Sequence, residues 1–259
     1  MSSLQEQQDS LHKQKIEGFS EYSNDLNELT SKQFTKFLVT VPQTIRPHSK
    51  DLKNFVRDGI KPFYALKEII EFFSKENDVI LDVFSGAGEN LKLISELERS
   101  AVGIEKDAKK ISSYKADVCS DTFLSEFPVT QGDALKILEK FFDKFDFILV
   151  DPPIKSQKSS IGAENIEERT VDSYCNYIAN VLENCSKNIK RGKFVVCLVQ
   201  DFYCKGEYFM LPSMIASRVM TLKLKGVKIY SRQVDINTIP NKKVYAPVQN
   251  HFYALIFTA

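Results

Sequence analysis

The sequence has few of the features that mark secreted, membrane-spanning or zinc-binding proteins. Its five cysteines are scattered, no two of them are separated by two residues, and no histidine stands at zinc-ligand spacing from any of them. There is no apolar run of ~18 residues, which a transmembrane helix needs, and the polar residues 1–15 hold no signal-peptide core. These absences predict a cytoplasmic protein with free, buried thiols and no metal site.

The sequence also lacks an excess of charge of either sign. Its 35 Lys and Arg residues almost balance 34 Asp and Glu residues, which gives a formal net charge of +1. A protein that holds DNA by itself through many phosphates usually has a basic excess or a basic stripe. The balance therefore disfavours tight autonomous DNA binding, although a local basic patch would still allow contact with nucleic acid.

What the sequence does have is a regular alternation of apolar strands and amphipathic helices. Strands are predicted over 79–84, 101–105, 127–131, 145–150, 194–199, 227–232 and 252–257, and helices over 63–73, 91–97, 108–114, 134–142, 171–188 and 212–224. This alternation predicts an α/β fold with a doubly wound, mainly parallel sheet and helices on both faces. The last two strands fit an antiparallel pair, so we expect an antiparallel C-terminal strand.

The first 45 residues differ in character from the rest. They are polar and carry a loose helical stripe of apolar residues, formed by Leu4, Leu11, Ile16, Phe19, Leu26 and Leu29. We expect an N-terminal helical extension over 1–45, which packs on the body of the protein or on a partner. One domain is expected over 46–259.

Polar motifs stand where the first three predicted strands end, the edge at which open parallel sheets bind ligands. The first motif runs from Asp82 to Gly88, and its glycines let the backbone turn sharply and approach a ligand closely. Glu105 follows the second strand, where a carboxylate can accept hydrogen bonds from both ribose hydroxyls. Asp133 follows the third strand, where it can meet an adenine amino group or simply cap the helix that starts at Ala134.

Taken in order, these motifs resemble those of class I S-adenosylmethionine-dependent methyltransferases that modify exocyclic amines of DNA bases, the N6-adenine and N4-cytosine enzymes. Arg191-Gly192-Lys193 with the strand after it, and the closing strand from His251 to Phe257, extend the resemblance over about three quarters of the chain. It implies a Rossmann-like sheet and S-adenosylmethionine as the cofactor. The cofactor-binding residues that it implies are Lys61, Pro62, Asp82, Phe84, Gly86, Gly88, Glu105 and Asp133.

The same resemblance makes Asp151-Pro152-Pro153-Ile154 the catalytic motif. An exocyclic base amine is a poor nucleophile because its lone pair is delocalised into the ring. The Asp151 carboxylate and the Pro152 carbonyl can accept hydrogen bonds from the amine and so free that lone pair, while the two prolines stiffen the loop. No Pro-Cys pair occurs, as a cytosine C5 enzyme would need.

Ile154 departs from the family, which usually has an aromatic residue there to stack on the base once it has swung out of the helix. Three interpretations stay open. Isoleucine is a tolerated variant, or another aromatic residue such as Tyr203, Phe202 or Phe63 stacks on the base, or the subunit is not catalytic.

The chain has no room for the long target-recognition segment that the DNA enzymes of this family carry. Candidate nucleic-acid contacts are the basic and aromatic residues Lys155, Lys158, Arg169, Tyr203, Arg232, Lys242 and Lys243, each of which also fits an ordinary surface loop. We therefore expect a partner protein or a second copy to help in recognition, with the extension as the docking element.

Adenine N6 in DNA is the favoured target, because the cytosine N4 enzymes often have Ser at the position of Asp151 and the glutamine-modifying enzymes have Asn. The alternatives are an N4-cytosine or RNA methyltransferase and a catalytically silent subunit that binds nucleic acid or scaffolds an active partner. The settings that the resemblance allows include restriction–modification and phage defence.

Overall fold

The computed structural model of this protein describes residues 26–30, 33, 36–38, 63–112, 128–141, 145–153, 168–204, 207–231 and 251–259, with the backbone alone at 63, 168–170 and 203–204. Its helices are α1 (Phe63–Phe73), α2 (Glu89–Glu96), α3 (Ala134–Leu138), α4 (Glu168–Cys185) and α5 (Leu211–Ala216), and residues 108–112 are also helical. The strands are β1 (Val79–Asp82), β2 (Ser100–Glu105), β3 (Val129–Gln131), β4 (Phe145–Val150), β5 (Ile189–Val199), β6 (Phe202–Cys204), β7 (Glu207–Phe209), β8 (Lys223–Ser231) and β9 (His251–Thr258).

Seven of these strands form one sheet in the order β3-β2-β1-β4-β5-β9-β8. The pairs from β3 to β5 are parallel, and β9 is antiparallel to both of its neighbours, so β9 alone runs against the others. The predicted mainly parallel, Rossmann-like sheet with an antiparallel C-terminal strand is confirmed. The strand order reverses between β1 and β4, which is where ligands bind in sheets of this kind.

Both faces of the sheet are covered by apolar side chains. On one face, residues of α3, α4 and α5 pack on alternate strand residues such as Leu81 and Ile148, and on the other face α1 and α2 pack on Ile80 and Phe147. All six residues of β4 are buried; five of them are apolar, and the sixth, Asp146, is paired with Lys190. No helix within the described ranges combines the length and the apolar character needed to cross a membrane.

Three cysteines, Cys175, Cys185 and Cys197, are free and buried in the core on the α4 side. Burial raises the pKa of the Cys175 and Cys185 thiols above the usual value. These side chains behave as small apolar groups, as the scattered cysteines predict. Cys119 and the side chain of Cys204 lie outside the described residues.

Several predicted boundaries were wrong. The helix predicted over 212–224 ends at Ala216, and β8 begins at Lys223. The Glu183 carboxylate of α4 accepts hydrogen bonds from the backbone N–H groups of Met220 and Thr221, which holds the chain in a turn before the strand. The fifth strand begins at Ile189 rather than 194, and the β6–β7 hairpin was not predicted at all.

The described part of the N-terminal extension packs on the domain. The Phe37 ring is 4% exposed and stacks on Phe72 of α1 with ring centroids 3.8 Å apart. The buried Lys228 ammonium of β8 donates to the Phe37 carbonyl at 2.5 Å and lies 3.2 Å from a Glu68 carboxylate oxygen of α1. The remaining residues of the predicted extension lie outside the described part.

Phe37→Ala tests this packing. Removing a buried ring that stacks on Phe72 should lower the free energy of unfolding by about 3 kcal/mol, measured by chemical denaturation. The matched control is Leu38→Ala, because Leu38 is the next residue and is 58% exposed. That variant should change stability by less than ~0.5 kcal/mol. Equal stability of the two variants would show that Phe37 does not pack on α1 in solution.

Candidate functional site

A glycine turn connects β1 to α2. Asp82 at the end of β1 is fully buried, and its carbonyl accepts a 2.9 Å hydrogen bond from the Ser85 hydroxyl. Gly86 and Gly88 have φ of 56° and 83°, the left-handed region in which a side chain would be strained. A Cβ added at Gly86 would meet no atom within 4 Å. The turn therefore exposes its backbone to open space, where a ligand can approach it.

Glu105 at the end of β2 braces this turn. One carboxylate oxygen accepts the Gly86 N–H and the other accepts the Asp107 N–H, each at 2.8 Å. The side chain is buried at the edge of the sheet, so the two bonds fix its orientation. Each oxygen keeps a further lone pair for another donor. The sequence pattern indicated a carboxylate that faces a ligand, but it did not indicate that the same carboxylate shapes the turn.

The two carboxylate oxygens of Asp133 have different hydrogen-bond partners. Oδ1 accepts the Leu135 N–H at 3.1 Å and caps α3, as the simpler interpretation of this residue predicted. Oδ2 lies 3.4 Å from both the Lys106 ammonium and the Tyr177 hydroxyl of α4. Burial, and then the nearby Asp133 charge, raise the pKa of Tyr177 to about 12. Capping therefore uses Oδ1, while Oδ2 contacts Lys106 just after β2 and Tyr177 on α4.

Phe84 connects the glycine turn to this acid. Its half-buried ring lies 6.5 Å from the ring of Tyr177, measured between centroids. Tyr177 in turn contacts Asp133, so an aromatic pair lines the space between the turn and the end of β3. Tyr177 was missed in the sequence because it lies on the predicted helix 171–188, where an aromatic residue is usually part of the core.

Asp151, Pro152 and Pro153 follow β4 directly. Asp151 is half-buried, Pro152 is buried and Pro153 is exposed. β4 lies beside β1, and the Val83 N–H after β1 still bonds the Leu149 carbonyl at 3.0 Å. Asp151 therefore leaves the sheet next to the start of the glycine turn, at the point where the strand order reverses.

Several predicted site residues lie outside the described part: Lys61, Pro62, Ile154, Lys155, Lys158, Arg232, Lys242 and Lys243. The backbones of Arg169 and Tyr203 belong to α4 and β6, and the backbone of Phe63 opens α1, with their side chains outside the description. Phe202 is 8% exposed and packs in the core, so it presents no free ring face for stacking. That proposed substitute for an aromatic residue at position 154 is wrong.

A second polar cluster, which we name the Asp201 cluster, comprises Asp201, Tyr208, Tyr253 and His251. Asp201 follows β5 and is 1% exposed; its Oδ2 accepts the Tyr208 hydroxyl at 2.5 Å and the Tyr253 hydroxyl at 3.0 Å. His251 Nε2 lies 3.0 Å from the Tyr253 hydroxyl and 3.6 Å from Asp201 Oδ2. β9 runs antiparallel, so its first residues, His251 and Tyr253, reach the edge where β4 and β5 end.

The sequence contained one signal for this cluster that was missed. Asp201 stands just beyond an apolar strand, as Asp151 does, and Asp82 and Glu105 are the last residues of such strands. Its tyrosine partners are 7 and 52 residues away along the chain, and one of them lies on a hairpin that was not predicted. Among the residues that the structure describes, no group of three or more His, Cys, Asp or Glu side chains is placed to hold a metal ion.

The Tyr208 phenol provides a test of the Asp201 cluster. The hydrogen bond to Asp201, followed by burial, raises the pKa of Tyr208 to about 12. Because this pKa lies above the ordinary value of 10, the bond stabilises the fold below pH 10, and that contribution is lost as the pH rises toward 12. In Asp201→Asn the pKa of Tyr208 should fall toward 10, measured by ¹³C NMR of labelled tyrosine with Tyr208→Phe for assignment.

The control for this titration is Glu207→Gln, which removes an exposed carboxylate next to Tyr208 in sequence and should leave the pKa of Tyr208 unchanged. A wild-type Tyr208 that titrates near 10 would contradict the hydrogen bond to Asp201.

Comparison with known proteins concerns mainly the ends of β1 and β2, where the glycine turn and Glu105 form the predicted cofactor side of the sheet edge. Residues 2–116 match the model of the family N6_N4_Mtase, described as DNA methylase. The matched stretch includes α1, the glycine turn and Glu105, and it ends before Asp133 and Asp151. No curated protein matches the sequence.

Several solved structures share the fold at low sequence identity. A protein assigned as an rRNA methylase from Clostridium thermocellum is 11% identical, with a TM-score of 0.53 over 77% of this chain and 98% of that chain. An S-adenosylmethionine-dependent O-methyltransferase from Thermotoga maritima is 14% identical, with a TM-score of 0.52 over 80% of this chain and 69% of that chain. A methyltransferase from Streptococcus mutans, solved in complex with S-adenosylhomocysteine, is 10% identical, with a TM-score of 0.50 over 77% and 99%.

At these identities the structural likeness shows the fold alone. The family match over residues 2–116 supports S-adenosylmethionine as the cofactor. This protein has the Rossmann-like fold of these methyltransferases, and its residues 2–116 are similar to the N6_N4_Mtase family of DNA methylases.

Proposed function

We propose that this protein transfers the methyl group of S-adenosylmethionine to an exocyclic amine of a nucleic-acid base, with adenine N6 in DNA as the favoured target. The observation that carries the proposal is the position of Asp151-Pro152-Pro153. The motif directly follows β4, one strand from the glycine turn and at the reversal of strand order. A methyl acceptor held there would lie beside a cofactor held by the turn.

The residues on β1, β2 and β3 fit S-adenosylmethionine. The open space at Gly86 admits a ligand against the backbone, and the braced Glu105 carboxylate has lone pairs left for two ribose hydroxyls. Asp133 Oδ2 would accept an adenine amino group in place of the exposed Lys106 ammonium, and Phe84 offers an aromatic surface next to Tyr177. Asp82, buried under the turn, and Gly88, which closes it, hold the loop in shape, and Lys61 and Pro62 complete the proposed set just before α1.

S-adenosylmethionine supplies an electrophilic methyl carbon on a positively charged sulfur. Asp151 prepares the acceptor: its carboxylate and the Pro152 carbonyl accept hydrogen bonds from the two amine hydrogens, which favours a tetrahedral nitrogen with a free lone pair. The Asp151 carboxylate would also accept the proton that the amine nitrogen gives up when it gains the methyl group, with S-adenosylhomocysteine as the other product. Pro152, which is buried, anchors the loop so that these acceptors keep their positions.

The preference for DNA comes from the family match, since the fold is shared with proteins assigned to RNA and to O-methylation and does not choose among them. The preference for adenine comes from Asp at position 151. Transfer to cytosine N4 or to an RNA base is the alternative within this chemistry. A catalytically silent scaffolding subunit is less favoured, because the glycine turn and the oriented Glu105 carboxylate would then have no ligand to bind.

We make two further proposals, one about the domains of the chain and one about recognition of the nucleic acid. Residues 46–259 form the methyltransferase domain, and residues 1–45 form an extension whose described part packs on α1. Recognition of the nucleic acid is shared with a partner protein or a second copy, because the net charge of +1 provides little attraction for phosphates. Lys155, Lys158, Arg169, Arg232, Lys242 and Lys243 are the proposed phosphate contacts, with Tyr203 beside them.

Asp151→Ala is the decisive variant for methyl transfer. Loss of the principal acceptor should reduce the transfer rate at least ~100-fold with cofactor affinity unchanged. The measurement uses labelled S-adenosylmethionine with DNA and RNA separately, followed by nucleoside digestion and mass spectrometry. N6-methyladenine that appears with the wild type and disappears in the variant supports the proposal. Glu96→Ala, which removes an exposed acid at the end of α2, is the control and should keep full activity.

If the wild type binds the cofactor and methylates neither DNA nor RNA, with or without co-purifying partners, the transferase proposal is wrong and the scaffolding function takes its place.

Glu105→Ala tests the cofactor site separately. The substitution removes both the ribose acceptors and the bond that holds Gly86, so the affinity for S-adenosylmethionine should fall about 10- to 100-fold, measured by calorimetry. Asp107→Ala is the matched control, because the Asp107 backbone N–H that contacts Glu105 is retained while an exposed carboxylate is lost. Equal affinity of the two variants would exclude Glu105 from the cofactor site.

A further inference from the structure

Tyr208 combines two properties that seldom occur together. Its side chain is 50% exposed, yet its hydroxyl is bound at 2.5 Å to Asp201, which is 1% exposed. An exposed tyrosine is ordinarily free to change rotamer, whereas this ring is fixed at its far end to a buried carboxylate. The same carboxylate oxygen is held by the Tyr253 hydroxyl, so the anchor is itself immobilised. The result is a rigid aromatic surface that is open to solvent.

This surface lies at the same edge of the sheet as Asp151. β4 and β5 are paired in parallel with Val150 opposite Cys197, so Asp151 and Asp201 follow neighbouring strands, with Asp201 three residues further out. Strand spacing and rise place their backbones roughly 10 Å apart, which is close enough for one bound nucleotide to reach both. The β6–β7 hairpin that carries Tyr208 begins immediately after Asp201.

Among the residues that the structure describes, the charges beside the ring favour a base rather than a phosphate as its occupant. The described acidic neighbours of Tyr208 are Asp201, which bonds its hydroxyl, and Glu207, which precedes it and is exposed. Negative charge repels a phosphate but does not oppose contact with the face of a neutral base. Met210, which is 54% exposed, extends the apolar surface two residues further on.

We infer that Tyr208 is a stacking platform for a nucleobase, either the base to be methylated or one next to it, and that Asp201 is the positioning residue that holds the ring. The inference rests on the proposed function, since it takes a nucleic acid as the substrate. It assigns the base-binding side of the site to the Asp201 cluster on β5, β7 and β9, next to the cofactor side on β1, β2 and β3.

Direct binding tests the platform. The full chain, saturated with S-adenosylhomocysteine, is titrated against fluorescein-labelled single strands of dA, dC, rA and rC, each about eight nucleotides long. The Kd is read from fluorescence anisotropy. Stacking on an aromatic side chain is worth roughly 5- to 150-fold in affinity per base. Tyr208→Ala should therefore raise the Kd at least ~5-fold for the strands that the wild type binds best. The DNA and RNA strands show which nucleic acid the platform prefers.

Two variants test the positioning by Asp201. Tyr208→Phe keeps the ring but loses its anchor, and Asp201→Asn keeps the shape but loses the charge. Each should raise the Kd about two- to threefold, the size of one weak hydrogen bond. The double variant should bind no more weakly than either single one, because both remove the same interaction. Additive losses would overturn the positioning role of Asp201.

The absence of tryptophan from the chain allows a direct reading of stacking. Tyr208→Trp introduces a single indole, whose fluorescence should be quenched when the strands bind. Met220→Trp, at an 84% exposed residue just before β8 and so at the opposite edge of the sheet, should change much less. Unchanged fluorescence of the Tyr208→Trp variant at saturation, an unchanged Kd in Tyr208→Ala, or no binding of any strand by the wild type would each overturn the inference. Binding does not depend on methyl transfer, so a failure of catalysis would be seen separately in the Asp151 assay.

Discussion

Parallel strands that are joined by crossovers on the faces of a sheet deliver all their carboxyl ends to one edge, and the chemistry of this protein depends on that constraint. In the order of the sheet, the residues at this edge are Asp133, Glu105, the glycine turn, Asp151, Asp201 and His251. His251 belongs to this series only because β9 is reversed and brings its amino end to the edge. The reversal of strand order between β1 and β4 opens the crevice in which these groups can surround a ligand.

At this edge, the acidic side chains stabilise the local structure, and the same side chains can contact a ligand. Glu105 fixes the glycine turn through the Gly86 N–H, Asp133 caps α3, and Asp201 ties Tyr208 and Tyr253 together. In each case the carboxylate is oriented by bonds within the protein before any ligand arrives. Groups that are fixed in this way need little reorganisation on binding, which is the physical basis of preorganisation.

The sequence revealed the sheet well because its strands are buried on both faces and read as continuous apolar runs. β4 was predicted to the residue, and the acids that end β1 and β2 or follow β3 and β4 were found from their positions at the ends of such runs. The β6–β7 hairpin was missed because three-residue strands leave no measurable periodicity. The helix predicted over 212–224 was too long because Leu222 and Leu224 continue its apolar pattern, while contacts from the distant Glu183 bend the chain.

The hydrogen-bond partners of the site residues are distant along the chain, and this limited what the sequence could predict about the site. For Asp133, the sequence offered a choice between helix cap and ligand contact, and the structure shows that one oxygen caps while the other remains at the edge. For Asp201, whose partner Tyr253 is 52 residues away, no local pattern indicated the bond. The family match ends before Asp151, so it supports the cofactor half of the edge, and the base-binding half is argued from the residues themselves.

The position of β9 has a consequence for synthesis. β8 joins the sheet only through β9, which inserts between β5 and β8 although it is made last of the three. During synthesis on the ribosome, β5 and β8 are therefore made before the strand that pairs with them. The interval until β9 is made is roughly one to twelve seconds at ordinary elongation rates. During that interval β5 presents an apolar strand edge of the kind that pairs with other chains. Lys223 and Lys225 on β8 are exposed and place positive charge beside the β8 edge that later pairs with β9. This charge opposes pairing between the β8 strands of two nascent chains.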